Sequence, residues 1–144
     1  MTCVSCRTDA ALATAPPREH IASDTHWRAA HAFGTDLLGW LVLVPRRHVT
    51  AVAALTDAEA ATLGAWQVRL SRALHAVTGC EKTYIAQFAE AEGFAHVHFH
   101  IVARMPDQAP ELKGPRVFAL LGAEPGVSAG RRDEFALELR RRLV

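Results

Sequence analysis

Three histidines alternate with bulky apolar residues in the stretch His96-Val97-His98-Phe99-His100-Ile101-Val102. An imidazole can serve as nucleophile, general base or metal ligand near neutral pH. Strict alternation reads as a half-buried β-strand, whose successive side chains point to opposite faces. Val97, Phe99 and Ile101 then enter a core, and His96, His98 and His100 share the other, wet face. Neighbouring histidines on that face sit about 6.6–7 Å apart, two strand rises. That is too far for all three to hold one ion. It suits one histidine held by a metal and the next left free for chemistry. The chain has only 8 histidines, so three within five positions are hard to ascribe to a merely solvated strand. The spacing alone does not decide between metal and catalysis.

A second group with metal-ligand spacing is Cys3-Val4-Ser5-Cys6. A C-x-x-C lets two thiolates converge and commonly forms half of a tetrahedral zinc site. A redox pair would sit at a helix start after a strand. Nothing strand-like precedes Cys3, which favours metal. Arg46-Arg47-His48 follows an apolar run directly; taken alone, it reads as a solvated edge.

The positioning elements can be read in chain order. Asp24 to Phe33 reads as a first strand. Gly39-Trp40-Leu41-Val42-Leu43-Val44, ended by Pro45, reads as a buried second strand and antiparallel partner. Thr56 and Glu59 form a capping box. Leu63, Trp66, Leu70, Leu74 and Val77 then recur at helical spacing and give one core stripe, and Gly79 ends the helix. Cys80 beyond it reads as a small apolar core group. Lys82 to Phe88 is a third strand, and a short connector joins it to a histidine strand over about Phe94 to Ala103. Val117 to Leu121 is an apolar segment able to dock on the core. Arg131 to Leu143 is a last helix, with Arg140-Arg141-Arg142 at its dipole-favoured end. The order strand, strand, helix, strand, strand, helix gives an α+β domain with an antiparallel sheet of about five strands, a central capped helix and a C-terminal helix.

The 144 residues suit one domain, 1–144, with a core at about 3–104 and an extension at 105–144. A formal net charge of +1 gives no field directed at nucleic acid or membrane. There is no apolar run of about 18 residues and no secretory pattern in Met1–His20, so a cytoplasmic protein is expected. Three cysteines, an odd number, fit thiols kept reduced.

The alternating stretch resembles the H-Φ-H-Φ-H-Φ-Φ signature of the histidine triad (HIT) superfamily. Gly39 to His48 resembles that family's strand ending in Pro, two basic or polar residues and His. The resemblance covers about residues 3–104. It implies a HIT-like fold and a nucleotide-binding enzyme that hydrolyses or transfers a nucleotidyl group. By position it makes His98 the nucleophile and Cys3, Cys6, His48 and His96 the ligands of a zinc ion. Four protein ligands leave no open position, so that zinc is structural. His100 is expected to orient His98 or donate to phosphate oxygens. Thr35 or Asp36 is expected to meet the ribose, Gln87 and the backbone at Gly93 the phosphate. The implied substrate is a purine nucleotide with a leaving group on its 5′-phosphate, a dinucleoside polyphosphate or a nucleoside phosphoramidate. The implied assembly is a homodimer.

The chain departs from the family at two places. Trp40 stands where a histidine or similar polar residue is usual. Glu92-Gly93-Phe94-Ala95 replaces the usual Gly-Gln-Ser or Gly-Gln-Thr. A nucleotide-binding module with little turnover is the alternative those departures leave. A metallohydrolase with all three histidines on one ion is disfavoured by their spacing.

Overall fold

A computed structural model describes residues 3–122 and 125–143. Its five strands are β1 (Ala22–Ser23), β2 (Trp27–His31), β3 (Trp40–Pro45), β4 (Lys82–Gln87) and β5 (Phe99–Arg104). They form one antiparallel sheet in the order β1-β2-β3-β5-β4. The helices are α1 (Val4–Ala10), α2 (Asp57–Thr78) and α3 (Ala129–Arg142). The architecture is the expected α+β arrangement.

The expected first strand, Asp24 to Phe33, is shorter in the structure, where it is β2, and the two-residue β1 precedes it, with Asp24 at the turn between them. The Asp24 Oδ1 accepts from the backbone N–H of His26 and Trp27, both at 2.8 Å, which turns the chain between β1 and β2. α1 was not legible in the sequence. Cys3 caps it, its Sγ accepting from the Cys6 N–H at 3.3 Å, so the C-x-x-C does sit at a helix N-terminus.

The long helix follows its sequence signals closely. Thr56 accepts from Glu59 N–H, and the Glu59 carboxylate accepts from Thr56 N–H. Glu59 is buried and also grips Arg47 at 2.9 Å. The helix start is thereby tied to the loop that carries His48. Gly79 ends α2 with φ +70. Trp66, Leu70 and Leu74 pack with Trp27, Leu41, Leu43, Phe99 and Ile101 in the main core, between the sheet and the helices. Gly39 must be glycine: its φ is +109, and a Cβ there would lie 3.1 Å from that of Ala103.

The histidine stretch differs from the reading in two respects. Regular pairing begins only at Phe99, because β3 ends in Pro45. Proline has no N–H to extend the ladder, and the Pro45 carbonyl is taken by the His96 ring. Residues 96–98 run just outside the ladder, with Val97 N–H bonded to Val49 carbonyl at 2.8 Å. The histidine face is also not wet. His96 and His100 are only 2% and 5% exposed, and His98 alone is half-buried. Trp40, Val102, Ala32 and Val117 form a second cluster on this face, so the Val117–Leu121 segment does dock. Arg140 does more than meet the helix dipole, because it donates to the carbonyls of His20 and Ile21.

His31, at the end of β2, joins strand to turn. Its Nδ1–H donates to Ala32 carbonyl at 2.7 Å, and its Nε2 accepts from Gly39 N–H at 3.0 Å. Burial, with Arg132 acting in the same direction, pushes this imidazole from 6.5 down to about 4. Between those two values the unfolded chain binds more protons than the folded one. Stability contributed by neutral His31 is therefore complete above the unfolded value and lost as pH falls through the window. We expect the melting temperature to fall from neutral pH towards pH 4, and His31→Gln to make that fall shallower. Identical pH slopes for the two proteins would contradict this assignment.

Candidate metal centre and active site

α1, the loop after β3 and the residues before β5 bring Cys3, Cys6, His48 and His96 together. Their ligand atoms all lie within 4.8 Å of one another. Cys3 Sγ is 3.5 Å from His96 Nδ1, Cys6 Sγ 3.6 Å from the same atom, and Cys6 Sγ 3.2 Å from His48 Nδ1. A tetrahedral zinc with bonds of about 2.0–2.3 Å needs ligands roughly 3.3–3.8 Å apart. The second shell fits as well. His96 donates its Nε2–H to Pro45 carbonyl at 2.7 Å, which leaves Nδ1 with a lone pair facing the cysteines. Burial, followed by the neighbouring Cys3, pushes the Cys6 thiol up to about 11. A dication is what stabilises two adjacent thiolates in such a place. The Cys2His2 group fits a structural zinc.

Next to it lies a cavity of about 570 Å³, open on the histidine face. His98 and His100 line it, with Phe33, Phe88, Phe94 and Phe118 among the apolar residues. His98 donates Nδ1–H to the His96 carbonyl at 2.8 Å, so its Nε2 keeps the lone pair. The His98 and His100 rings are 4.9 Å apart. Burial, then the charge of His98, pushes His100 down to about 4, so it is neutral at neutral pH.

The other expected contacts are placed differently. Neither Thr35 nor Asp36 lines the cavity, whereas Phe33 and Gly34 do. Thr35 is buried, and its hydroxyl accepts from Leu37 N–H at 3.1 Å; Asp36 is exposed. Gln87 pairs with Phe99, which faces the α2 core, so strand alternation turns Gln87 away from His100. Gly93, at φ +82, gives its carbonyl to Val4 N–H at 3.4 Å and fixes the connector against α1.

Trp40 stands out in the sequence only as a departure, and Arg28 is not singled out there. Trp40 donates its indole N–H to His100 Nδ1 at 3.0 Å. Arg28 on β2 lines the cavity and is only 4% exposed. Its Nη1 donates to Glu19 carbonyl at 3.0 Å, but Nε has no hydrogen bond, and Asp9 is 3.8 Å away and shared with Arg46. The one available signal for Arg28 was a charged residue among the buried residues of β2.

No family model matches the sequence, and no curated protein matches it. Solved structures do match. A Zn-bound histidine triad family protein from Mycobacterium smegmatis aligns over 99% of this chain and 94% of its own, with TM-score 0.70 and 20% identity. A histidine triad protein from Bradyrhizobium japonicum aligns over 87% and 90%, with TM-score 0.72 and 27% identity. A hypothetical histidine triad nucleotide-binding protein from Sulfolobus tokodaii aligns over 98% and 91%, with TM-score 0.73 and 12% identity.

Protein purified without a metal-affinity tag is expected to carry one zinc per chain by elemental analysis. Cys6→Ser should lose most of it and melt at a lower temperature. A metal-free protein of unchanged stability would refute the assignment.

Proposed function

We propose that this chain, which has the histidine triad superfamily fold, binds a nucleotide in the cavity and hydrolyses or transfers its nucleotidyl group through His98. The observation that carries the reading is the unengaged Nε2 of His98, held by the His96 carbonyl and facing a cavity large enough for a nucleotide. Arg28 adds a cation to that cavity, and its apolar aromatic wall suits a base. The nucleotide-binding description of the Sulfolobus tokodaii protein agrees with this ligand class.

In this mechanism the Nε2 lone pair of His98 attacks the α-phosphorus. A P–N bond to His98 forms, and the bond to the leaving group breaks with its electron pair. His98 stays oriented throughout by its Nδ1–H bond, which strengthens as the ring gains positive charge. His100 donates to a phosphoryl oxygen or to the leaving group. Water or another acceptor nucleophile then attacks the same phosphorus, the P–N bond breaks with its electron pair returning to Nε2 of His98, and the acceptor's proton passes to solvent. Zinc at Cys3, Cys6, His48 and His96 would supply structure only, tying α1 to the segment that ends in His98.

The finer features of the reading are a purine ligand with a 5′-phosphate leaving group, a reducing cytoplasmic setting for the thiols, and a homodimer. Among the described residues no helix is long and apolar enough to cross a membrane. β4 is a sheet edge with Ile85 exposed, and Phe88 is exposed just beyond it. Such an edge suits pairing with a second copy.

His98→Ala should lower kcat by on the order of 10³-fold or more, as loss of a nucleophile does. Labelled substrate quenched without acid should leave its label on His98. A label elsewhere, or full turnover by His98→Ala, would exclude this mechanism; binding with no adduct and no turnover would instead establish a binding module. Light scattering should give twice the chain mass at micromolar concentration, and a monomer there would exclude the dimer.

A further inference from the structure

Trp40 opens β3 and is fully buried, yet its polar atom is satisfied by His100. The two rings stand at 90° with centroids 5.8 Å apart. Phe118 packs edge-on against both, 5.2 Å from Trp40 and 4.9 Å from His100. An indole N–H donates and never accepts. The Nδ1 of His100 must therefore be the lone-pair nitrogen, and the single proton of the neutral ring must sit on Nε2. Among the described residues nothing hydrogen-bonds to that Nε2, and the ring lines the cavity beside His98.

We propose that Trp40 is a positioning residue that fixes His100 as the Nε2–H tautomer, so that His100 presents one permanent donor to the group reacting at His98. A histidine at position 40 could accept as well as donate, and would let the His100 proton sit on either nitrogen. Tryptophan removes that freedom. Protonating His100 at Nδ1 would set two donors against each other in a buried place, which agrees with the burial that holds this ring neutral. His100 is then a fixed hydrogen-bond donor and not a proton shuttle. The catalytic consequence rests on the nucleotidyl-transfer reading, whereas the tautomer does not.

The test begins with the unaltered protein, labelled with ¹⁵N-histidine, in a long-range ¹H–¹⁵N correlation near neutral pH. His100 should show a lone-pair Nδ1 and a protonated Nε2. Trp40→Phe keeps an aromatic ring but no donor, and should move both nitrogens towards averaged shifts. With a nucleoside phosphoramidate as substrate, it should lower kcat about tenfold, part of the loss of one full oxyanion donor, and leave KM within about twofold. A protonated Nδ1 in the unaltered protein would overturn the proposal. So would a Trp40→Phe variant with the same tautomer and the same kcat. If the unaltered protein turns over no nucleotide, the functional reading fails, and the spectrum alone decides the tautomer.

Discussion

The bond from His96 Nε2–H to the Pro45 carbonyl is the constraint on which the site depends. It fixes the His96 tautomer and so aims Nδ1 at Cys3 and Cys6. It occupies the last carbonyl of β3, and Pro45 has no N–H, so the β3–β5 ladder stops at Leu43 and Phe99. Residues 96–98 are thereby released from regular pairing. That release leaves the His96 carbonyl to hold His98. One proline thus ends a strand, orients a ligand and indirectly sets the ring next to it.

The same economy runs through the other histidines. His31, His98 and His100 each have one nitrogen engaged by a group of fixed donor or acceptor character, and the second nitrogen is defined as a result. Carbonyls hold Nδ1–H of His31 and of His98, and an indole holds Nδ1 of His100. Backbone carbonyls and an indole do not titrate, so they set tautomers without adding charge. Burial of His31, His96 and His100 reinforces this by disfavouring the cationic ring.

Much of the fold was legible because it follows local rules. The capping box at Thr56, the Trp66–Leu70–Leu74 stripe, the stop at Gly79 and the apolar run ended by Pro45 each have a short-range cause. The turn at Asp24 between β1 and β2 and the short α1 were not legible, because each depends on one side chain folding back on nearby backbone. In the site, the metal-ligand group was legible from spacing and resemblance together. The burial of His96 and His100 was not, since alternation tells which residues share a face and not what covers it. Thr35 and Gln87 lie off the cavity wall for local reasons that alternation does not give: a hydroxyl bond in one case and strand parity in the other. Arg28 and Trp40 meet partners from other elements, and a single sequence does not name such partners.

The separation along the chain of the metal-ligand residues has a kinetic meaning. Cys3 lies 93 residues from His96. Bringing them together closes a long loop, whose entropy cost is repaid only after intervening parts have ordered. The hairpin of β4 and β5 and the capped α2 can form earlier from nearer contacts. The Cys2His2 group is then a latch fastened on a nearly finished fold, not a nucleus for it. Weakening such a latch leaves the rate of folding almost unchanged and makes unfolding faster. The protein's lifetime in the folded state, more than its ability to reach it, is what these four side chains control.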